Sequence, residues 1–190
     1  MRIIAGDFKG RRLDAPAWEG LRPTSDKLRE TLFNVLAPRI AGATVLDGYA
    51  GTGAVGLEAL SRGAAAVTFV ERDPRAVRLI AENAARCGLG SPAAGSAGDR
   101  YAIIRAGFAD AAPRLGEDRF DVVFLDPPYG LDEMTHAIEH AAPLVGPGGI
   151  LVVEHARRDE PPPSAGILSK TRDLMSGDSA LAFYQREPGR

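Results

Sequence analysis

From Ala43 to about Glu154 the chain alternates short apolar runs with longer amphipathic segments, and this rhythm constrains the fold more than any other feature. The runs Thr44-Val45-Leu46, Ala66-Val67-Thr68-Phe69-Val70 and Asp121-Val122-Val123-Phe124-Leu125 are too short and too rich in β-branched and aromatic residues to be helices. The spacing predicts strands at 43–47, 66–71, 101–106, 121–126 and 149–154, with helices at 53–62, 74–87, 109–115 and 131–144 between them. Strand-helix-strand repetition of this kind gives a parallel sheet with right-handed crossovers, an α/β Rossmann-like architecture. Residues 166–170 and 179–186 read as a closing antiparallel pair around Gly177. Ahead of this body, residues 2–6 and 10–15 read as a hairpin through Asp7-Phe8-Lys9-Gly10, followed by a linker at 15–20. Thr24 or Ser25 then caps a helix to about Arg39 that carries Leu28, Leu32, Val35 and Leu36 on one face. The expected division is an amino-terminal extension, 1–40, and a larger unit, 41–187.

Asp126-Pro127-Pro128-Tyr129 closes the fourth strand of this alternation. Proline has no N–H to continue a ladder and restricts its predecessor, so the loop is stiff and sits at the carboxyl edge of the sheet, where ligands of α/β proteins bind. It presents the Asp126 carboxylate, the Pro127 carbonyl and the Tyr129 ring: two acceptors and a stacking face, a set suited to the exocyclic amine of a base. The lone pair of such an amine is delocalised into its ring. Two acceptors holding its hydrogens favour a pyramidal nitrogen, which is preorganised electrostatics rather than strong-base catalysis.

Gly51-x-Gly53-x-x-Gly56 follows a strand and opens a helix, with Glu71 ending the next strand, where a carboxylate can accept both ribose hydroxyls. NAD and S-adenosylmethionine both fit so far, and charge separates them. A dinucleotide brings a pyrophosphate to the turn, whereas Asp47 at its mouth repels phosphate and attracts the ammonium and sulfonium of S-adenosylmethionine. Asp47 can equally cap nearby backbone N–H groups. After the third strand, Phe108 and Asp110 lie where an adenine would rest, and Asp110 either accepts from the adenine N6 or caps the helix behind it.

Composition narrows the setting. With 190 residues, 45% hydrophobic and 25% charged, the chain can bury one good core. No stretch approaches the roughly 18 apolar residues of a membrane span, and the amino terminus lacks a signal-peptide apolar segment, so a cytoplasmic protein is expected. The single cysteine, Cys87, excludes an internal disulfide, and Asp132, Glu133, His136, Glu139 and His140 read as a solvated helix face, so no metal is expected. The net charge of −2 and pI near 5.9 argue against broad nucleic-acid binding. Locally, Arg2, Lys9, Arg11 and Arg12 against Asp7 give the first twelve residues +3, with Arg22, Lys27 and Arg29 close behind, a basic edge able to grip RNA.

With these residues assembled, the chain resembles the bacterial 16S rRNA (guanine 966) N2-methyltransferase family along nearly its whole length. The likeness runs through Arg2-Ile3-Ile4-Ala5-Gly6, Gly10-Arg11-Arg12-Leu13, Arg22-Pro23-Thr24, Arg29-Glu30-Thr31-Leu32-Phe33-Asn34-Val35-Leu36, Asp47 to Ala64, Val70-Glu71-Arg72-Asp73 and Leu125-Asp126-Pro127-Pro128-Tyr129. The Asp-Pro-Pro-Tyr motif is shared with other amino-methylating enzymes, including those acting on DNA adenine; the amino-terminal motifs are the narrower marker. Arg172 to Asp178 departs from the family, which usually has a basic, Tyr-Gly-containing turn there. The resemblance implies a seven-stranded class I methyltransferase fold, S-adenosylmethionine as donor, and 16S rRNA in a partly assembled small subunit as partner of a monomeric enzyme. It assigns Asp47, Tyr49, Ala50, Gly51, Gly53, Glu71, Arg72, Phe108 and Asp110 to the cofactor. It gives Asp126, Pro127 and Tyr129 to the guanine, with Pro128 of the same motif counted beside them, while local charge makes Arg2, Lys9, Arg11, Arg12, Arg22 and Arg29 the candidates for RNA.

Overall fold

The computed structural model describes residues 1–16, 18, 24–90, 100–128 and 130–186; Arg22, Tyr129 and most of the linker at 17–23 lie outside them. The elements run α1 (Asp26–Ile40), β1 (Thr44–Gly48), α2 (Ala54–Ser61), β2 (Ala66–Glu71), α3 (Pro74–Arg86), β3 (Tyr101–Arg105), α4 (Phe108–Ala111), β4 (Phe120–Leu125), α5 (Leu131–Ala141), β5 (Val145–Ala156), β6 (Ser164–Ala165), β7 (Leu168–Ser176) and β8 (Ser179–Arg186). They form one sheet in the order β3-β2-β1-β4-β5-β8-β7-β6, parallel from β3 to β5 and antiparallel beyond. The sheet has eight strands, not seven; the eighth is β6, two residues after the Pro161-Pro162-Pro163 loop that pair with the start of β7. The closing pair is also longer than its alternation suggests, because β7 runs on through Thr171-Arg172-Asp173 to the turn at Gly177.

Alternate residues of the central strands feed two apolar layers. Val122 and Phe124 of β4 join the layer with α1 and α2, while Val123 and Leu125 join the one with α4 and α5. Burial on both faces is why these strands read as unbroken apolar runs. Helix α2 lies close against β2 because Gly56 has no side chain; a Cβ there would stand 2.3 Å from the Phe69 ring. Ser25 caps α1 by accepting from the Leu28 N–H at 3.1 Å.

The amino-terminal hairpin is reduced to one antiparallel bridge, Arg2 opposite Arg12. The bridge is closed by the Ile3 N–H donating to the Arg11 carbonyl at 3.0 Å and the Leu13 N–H to the Met1 carbonyl at 3.2 Å, and the residues after Ile3 turn to α2. The Ile4 and Ala5 N–H groups donate to the Glu58 carboxylate at 2.7 and 3.0 Å, the Ser61 hydroxyl donates to the Ala5 carbonyl, and the Phe8 N–H donates to the Ser61 Oγ at 2.9 Å. Ile3, Phe8 and Leu13 are buried in the same apolar layer as α1 and α2. Among the described residues, no helix is long and apolar enough to cross a membrane.

Candidate functional site

The strand order reverses between β1 and β4, and a cleft of about 540 Å³ opens over their carboxyl ends. That is the switch-point position for ligands in open α/β sheets, and the volume suits a small molecule. Its floor is the turn from Asp47 to Thr52, its sides Val70 to Asp73 and Ala106 to Ala109, and its far edge Asp126 to Pro128.

Asp47 is 1% exposed, and its Oδ2 accepts from the Gly56 N–H at 2.8 Å. Gly53 occupies the N-cap of α2 in the left-handed region (φ 75°) and, lacking a side-chain oxygen, leaves Asp47 to serve the helix end from the neighbouring strand. The capping role is therefore present, and it does not neutralise the acid. Burial pushes the Asp47 carboxyl up to about 8; the Gly56 N–H opposes this and the nearby Glu71 adds to it. Glu71 holds the turn from the other side, accepting from the Gly51 N–H at 2.9 Å through one oxygen and from the Asp73 N–H at 2.8 Å through the other. Each carboxylate oxygen carries two acceptor sites, so both retain capacity for a ribose hydroxyl.

Tyr49 has φ 63°, an uncommon conformation for a bulky residue, and its ring lies 5.3 Å from that of Phe108 at 34°. Burial, with the Glu133 carboxylate of α5 nearby, pushes the pKa of its hydroxyl up to about 12. Ala50 is buried beneath the turn, and Arg72 faces the cleft beside Glu71.

Across the cleft, Pro127 is buried, Pro128 exposed and Asp126 half-buried, and all three line it. Asp126 is held well above the ordinary carboxylate range, first by burial, then by the charge of Glu154, then by that of Asp47. Glu154 is neighbour to Asp126 because β4 and β5 pair in parallel with Leu125 opposite Val153. A cleft with acids on both sides, an aromatic pair and a proline-stiffened acceptor edge can take a ligand that is cationic at one end and presents an amine at the other.

The model of the family described as conserved hypothetical protein 95 matches residues 1–185. The chain belongs to that family. The protein named ribosomal RNA small subunit methyltransferase D in Escherichia coli (strain K12) is 36% identical over 98% of this chain and 90% of its own. The protein of the same name in Haemophilus influenzae is 38% identical over 97% of this chain and 93% of its own. An Escherichia coli protein solved as a candidate methyltransferase superposes with a TM-score of 0.79, 34% identical, covering 98% of each chain. The architecture is the class I methyltransferase fold, with the antiparallel end of the sheet lengthened by β6.

Several residues singled out in the sequence of this family member stand apart from the cleft. Asp110 is exposed in the first turn of α4, whose N-cap is Gly107, and is not among the residues lining the cleft. Its reading as a helix cap does not hold, because the four-residue helix starts at Phe108 with Gly107 as its N-cap. Arg29 is removed from the exposed cations: it is fully buried in α1, donating to the Arg2 carbonyl at 2.6 Å and to Asp26 at 2.9 Å, with Glu58 at 3.9 Å. Arg2, Lys9, Arg11 and Arg12 are exposed, and Arg11 donates to the Arg86 carbonyl at 2.7 Å. Tyr129 and Arg22 lie outside the described residues. Sequence reasoning passed over Trp18, Arg75 and Glu154, and read Glu133, which lines the cleft, only as part of a solvated helix face. Glu154 carries the signal that marks Glu71, a carboxylate closing an apolar run; the other three come from loops and helix starts, where no periodicity points inward. Among the described residues no group of His, Cys, Asp or Glu gathers as metal ligands, and His136 pairs with Glu139 on the exposed face of α5.

Proposed function

We propose that this protein transfers a methyl group from S-adenosylmethionine to the exocyclic N2 of a guanine in 16S rRNA of the small ribosomal subunit, in the cytoplasm where subunits assemble. The observation that carries the reading is the meeting, in one cleft, of Asp47 and Glu71 at the glycine turn with the Asp126-Pro127 edge. Relatives named as small-subunit rRNA methyltransferases along nearly the full chain support the substrate class. The residues suit the donor: Asp47 is an acid whose proton affinity is raised by burial and by Glu71, so a cation beside it is favoured, and Glu71 has acceptor capacity to spare. S-adenosylmethionine, when bound, supplies an electrophilic methyl on a positively charged sulfur. Asp47 would face its ammonium and sulfonium charge and Glu71 its ribose, with Phe108 and Tyr49 closing around the adenosine.

At the other edge the guanine is turned out of its loop into the cleft. Asp126 and the Pro127 carbonyl accept its two N2 hydrogens, which orients the nitrogen lone pair toward the methyl. Once the carbon–nitrogen bond has formed, the nitrogen is cationic and acidic, and its proton passes to Asp126 or to water. The raised proton affinity of Asp126 suits it to receive that proton. Tyr129 is assigned to stacking on the base. The exposed Arg2, Lys9, Arg11 and Arg12 grip the RNA backbone. Arg2 directly opposite Arg12 sets two like charges together, an arrangement destabilising by itself and relieved by a phosphate between them.

Asp126→Ala should abolish methyl transfer to rRNA while leaving affinity for S-adenosylhomocysteine nearly unchanged; wild-type turnover in that variant removes Asp126 from the mechanism. The assay is run on small-subunit particles, naked 16S rRNA, duplex DNA and a protein extract. Transfer to DNA adenine or a protein amide, with none to rRNA, would replace the substrate. Tight binding of NADH without S-adenosylhomocysteine would replace the reaction. Mass spectrometry of rRNA from a strain lacking the protein identifies the base.

A further inference from the structure

We propose that Trp18 roofs the adenosine end of the cofactor cleft, held there by Arg75, and so makes the amino-terminal extension part of the cofactor site. The proposal rests on the cleft binding S-adenosylmethionine. Trp18 is half-buried and lines the cleft, as does Thr24, although both belong to the extension rather than to the sheet and its crossovers. The Arg75 guanidinium sits 4.9 Å from the centre of the Trp18 ring. Arg75 is itself fixed: its Nη2 lies 2.6 Å from Asp73 Oδ2 and its Nε donates to both Asp73 oxygens at 3.1 Å. Asp73 is the N-cap of α3, so its backbone is set by the helix. Indole, guanidinium and carboxylate thus form a propped stack two residues beyond Glu71.

The side of the cleft follows from the strand order. Glu71 ends β2, β1 lies next, and Asp126 ends β4 beyond it, about 10 Å from β2 at the usual strand spacing. The indole therefore stands on the ribose side, away from the acceptors for the guanine. Described residues on either side of it are fastened. Upstream, the Asp14 N–H donates to Asn83 at 2.7 Å, Arg86 pairs with Asp14 at 2.6 Å, and Asn83 donates to the Thr52 carbonyl in the glycine turn at 3.0 Å. Downstream, α1 begins at Asp26 under its Ser25 cap. A flat apolar ring over a ribose and its base is the arrangement aromatic residues supply in nucleoside recognition.

Trp18 is the only tryptophan of the chain, so its fluorescence reports this position alone. Wild type, W18A, W18F and R75A are titrated with S-adenosylhomocysteine by calorimetry and by emission, and their unliganded melting temperatures are compared. Wild-type emission should change saturably with the calorimetric Kd. W18A should raise that Kd about tenfold with the unliganded melting temperature kept, and W18F should restore most of the loss. R75A, a change at a half-exposed side chain, should raise it about threefold and decides the matter if W18A does not fold. Calorimetric binding with silent emission, or wild-type Kd in W18A or in R75A, overturns the proposal. Absence of binding to the wild-type protein instead overturns the methyltransferase reading and takes this inference with it.

Discussion

Asp47→Asn should make the unliganded protein more stable, by an amount that grows with pH. The wild-type carboxyl is 1% exposed, accepts one backbone hydrogen bond and makes no salt bridge with any described residue. Its pKa stands at about 8, against an ordinary 3.8. Below 3.8 the group is protonated in both folded and unfolded chains and contributes no pH dependence. Between 3.8 and about 8 the unfolded chain releases the proton and the folded chain keeps it, so folding stability falls as pH rises, and above 8 the loss is constant. At pH 7 the gap of about three pH units, at 1.36 kcal/mol each, corresponds to a loss on the order of 4 kcal/mol, an upper bound because the cleft admits water. Asparagine cannot ionise, and its amide oxygen can keep the Gly56 bond. Thermal melts of both proteins from pH 4.5 to 8 should therefore start close together and diverge, the variant gaining up to roughly 10 °C at pH 7. The same substitution should weaken S-adenosylmethionine binding, and binding to the wild type should release a proton near pH 7, visible as a buffer-dependent heat. A difference in melting temperature that stays constant with pH, or shrinks as pH rises, refutes the assignment of Asp47 as a buried acid with a raised pKa.

Replacing Arg11 and Arg12 together with alanine should weaken rRNA binding and reduce the slope of log K against log salt by about 1 to 2. An unchanged slope, read by filter binding across salt concentrations, would show that this edge does not meet phosphate. Glu58→Ala removes a fully buried carboxylate that accepts from the Ile4 and Ala5 N–H groups and from Arg62 at 2.8 Å, and that lies 3.9 Å from buried Arg29. Leaving those donors and charges unpaired should cost about 3–5 kcal/mol in urea unfolding; a cost below about 1 kcal/mol would mean that the amino terminus is held by its apolar contacts alone.

Much of the fold was legible because its determinants are local. Strands buried on both faces write themselves as unbroken apolar runs, and the glycine turn declares itself by what brackets it, Leu46-Asp47 before and Leu57 to Leu60 after. What was hidden depends on partners distant in sequence. Residues 2–6 have strand-like residues, yet past Ile3 the chain leaves its hairpin partner because Glu58 and Ser61, more than fifty positions away, bond Ile4 and Ala5 instead. Arg29 sits beside Leu28 on α1, and only the Arg2 carbonyl and Glu58 explain why its charge turns inward. Trp18 lies in a stretch of Pro, Ala, Glu and Gly with no period to read, and its place at the cleft depends on Arg75. β6 is two residues long and exists because β7 offers an edge to pair with.

Charge is distributed in this chain so that the two proposed ligands are sorted by sign. Four adjacent strands, β2, β1, β4 and β5, carry Glu71, Asp47, Asp126 and Glu154 at or near their carboxyl ends. Two of these are pushed up, and each has a neighbouring acid among its causes: Glu71 for Asp47, and Glu154 and Asp47 for Asp126. A pyrophosphate placed against that row would deepen the repulsion, while a sulfonium and an ammonium would relieve it, so the row favours a cationic donor. The cations that RNA requires, Arg2, Lys9, Arg11 and Arg12, stand instead on the amino-terminal extension. A chain of net charge −2 can then attract a polyanion at one edge without filling its cleft with phosphate. The same segment, through Trp18, reaches the cleft from that basic edge.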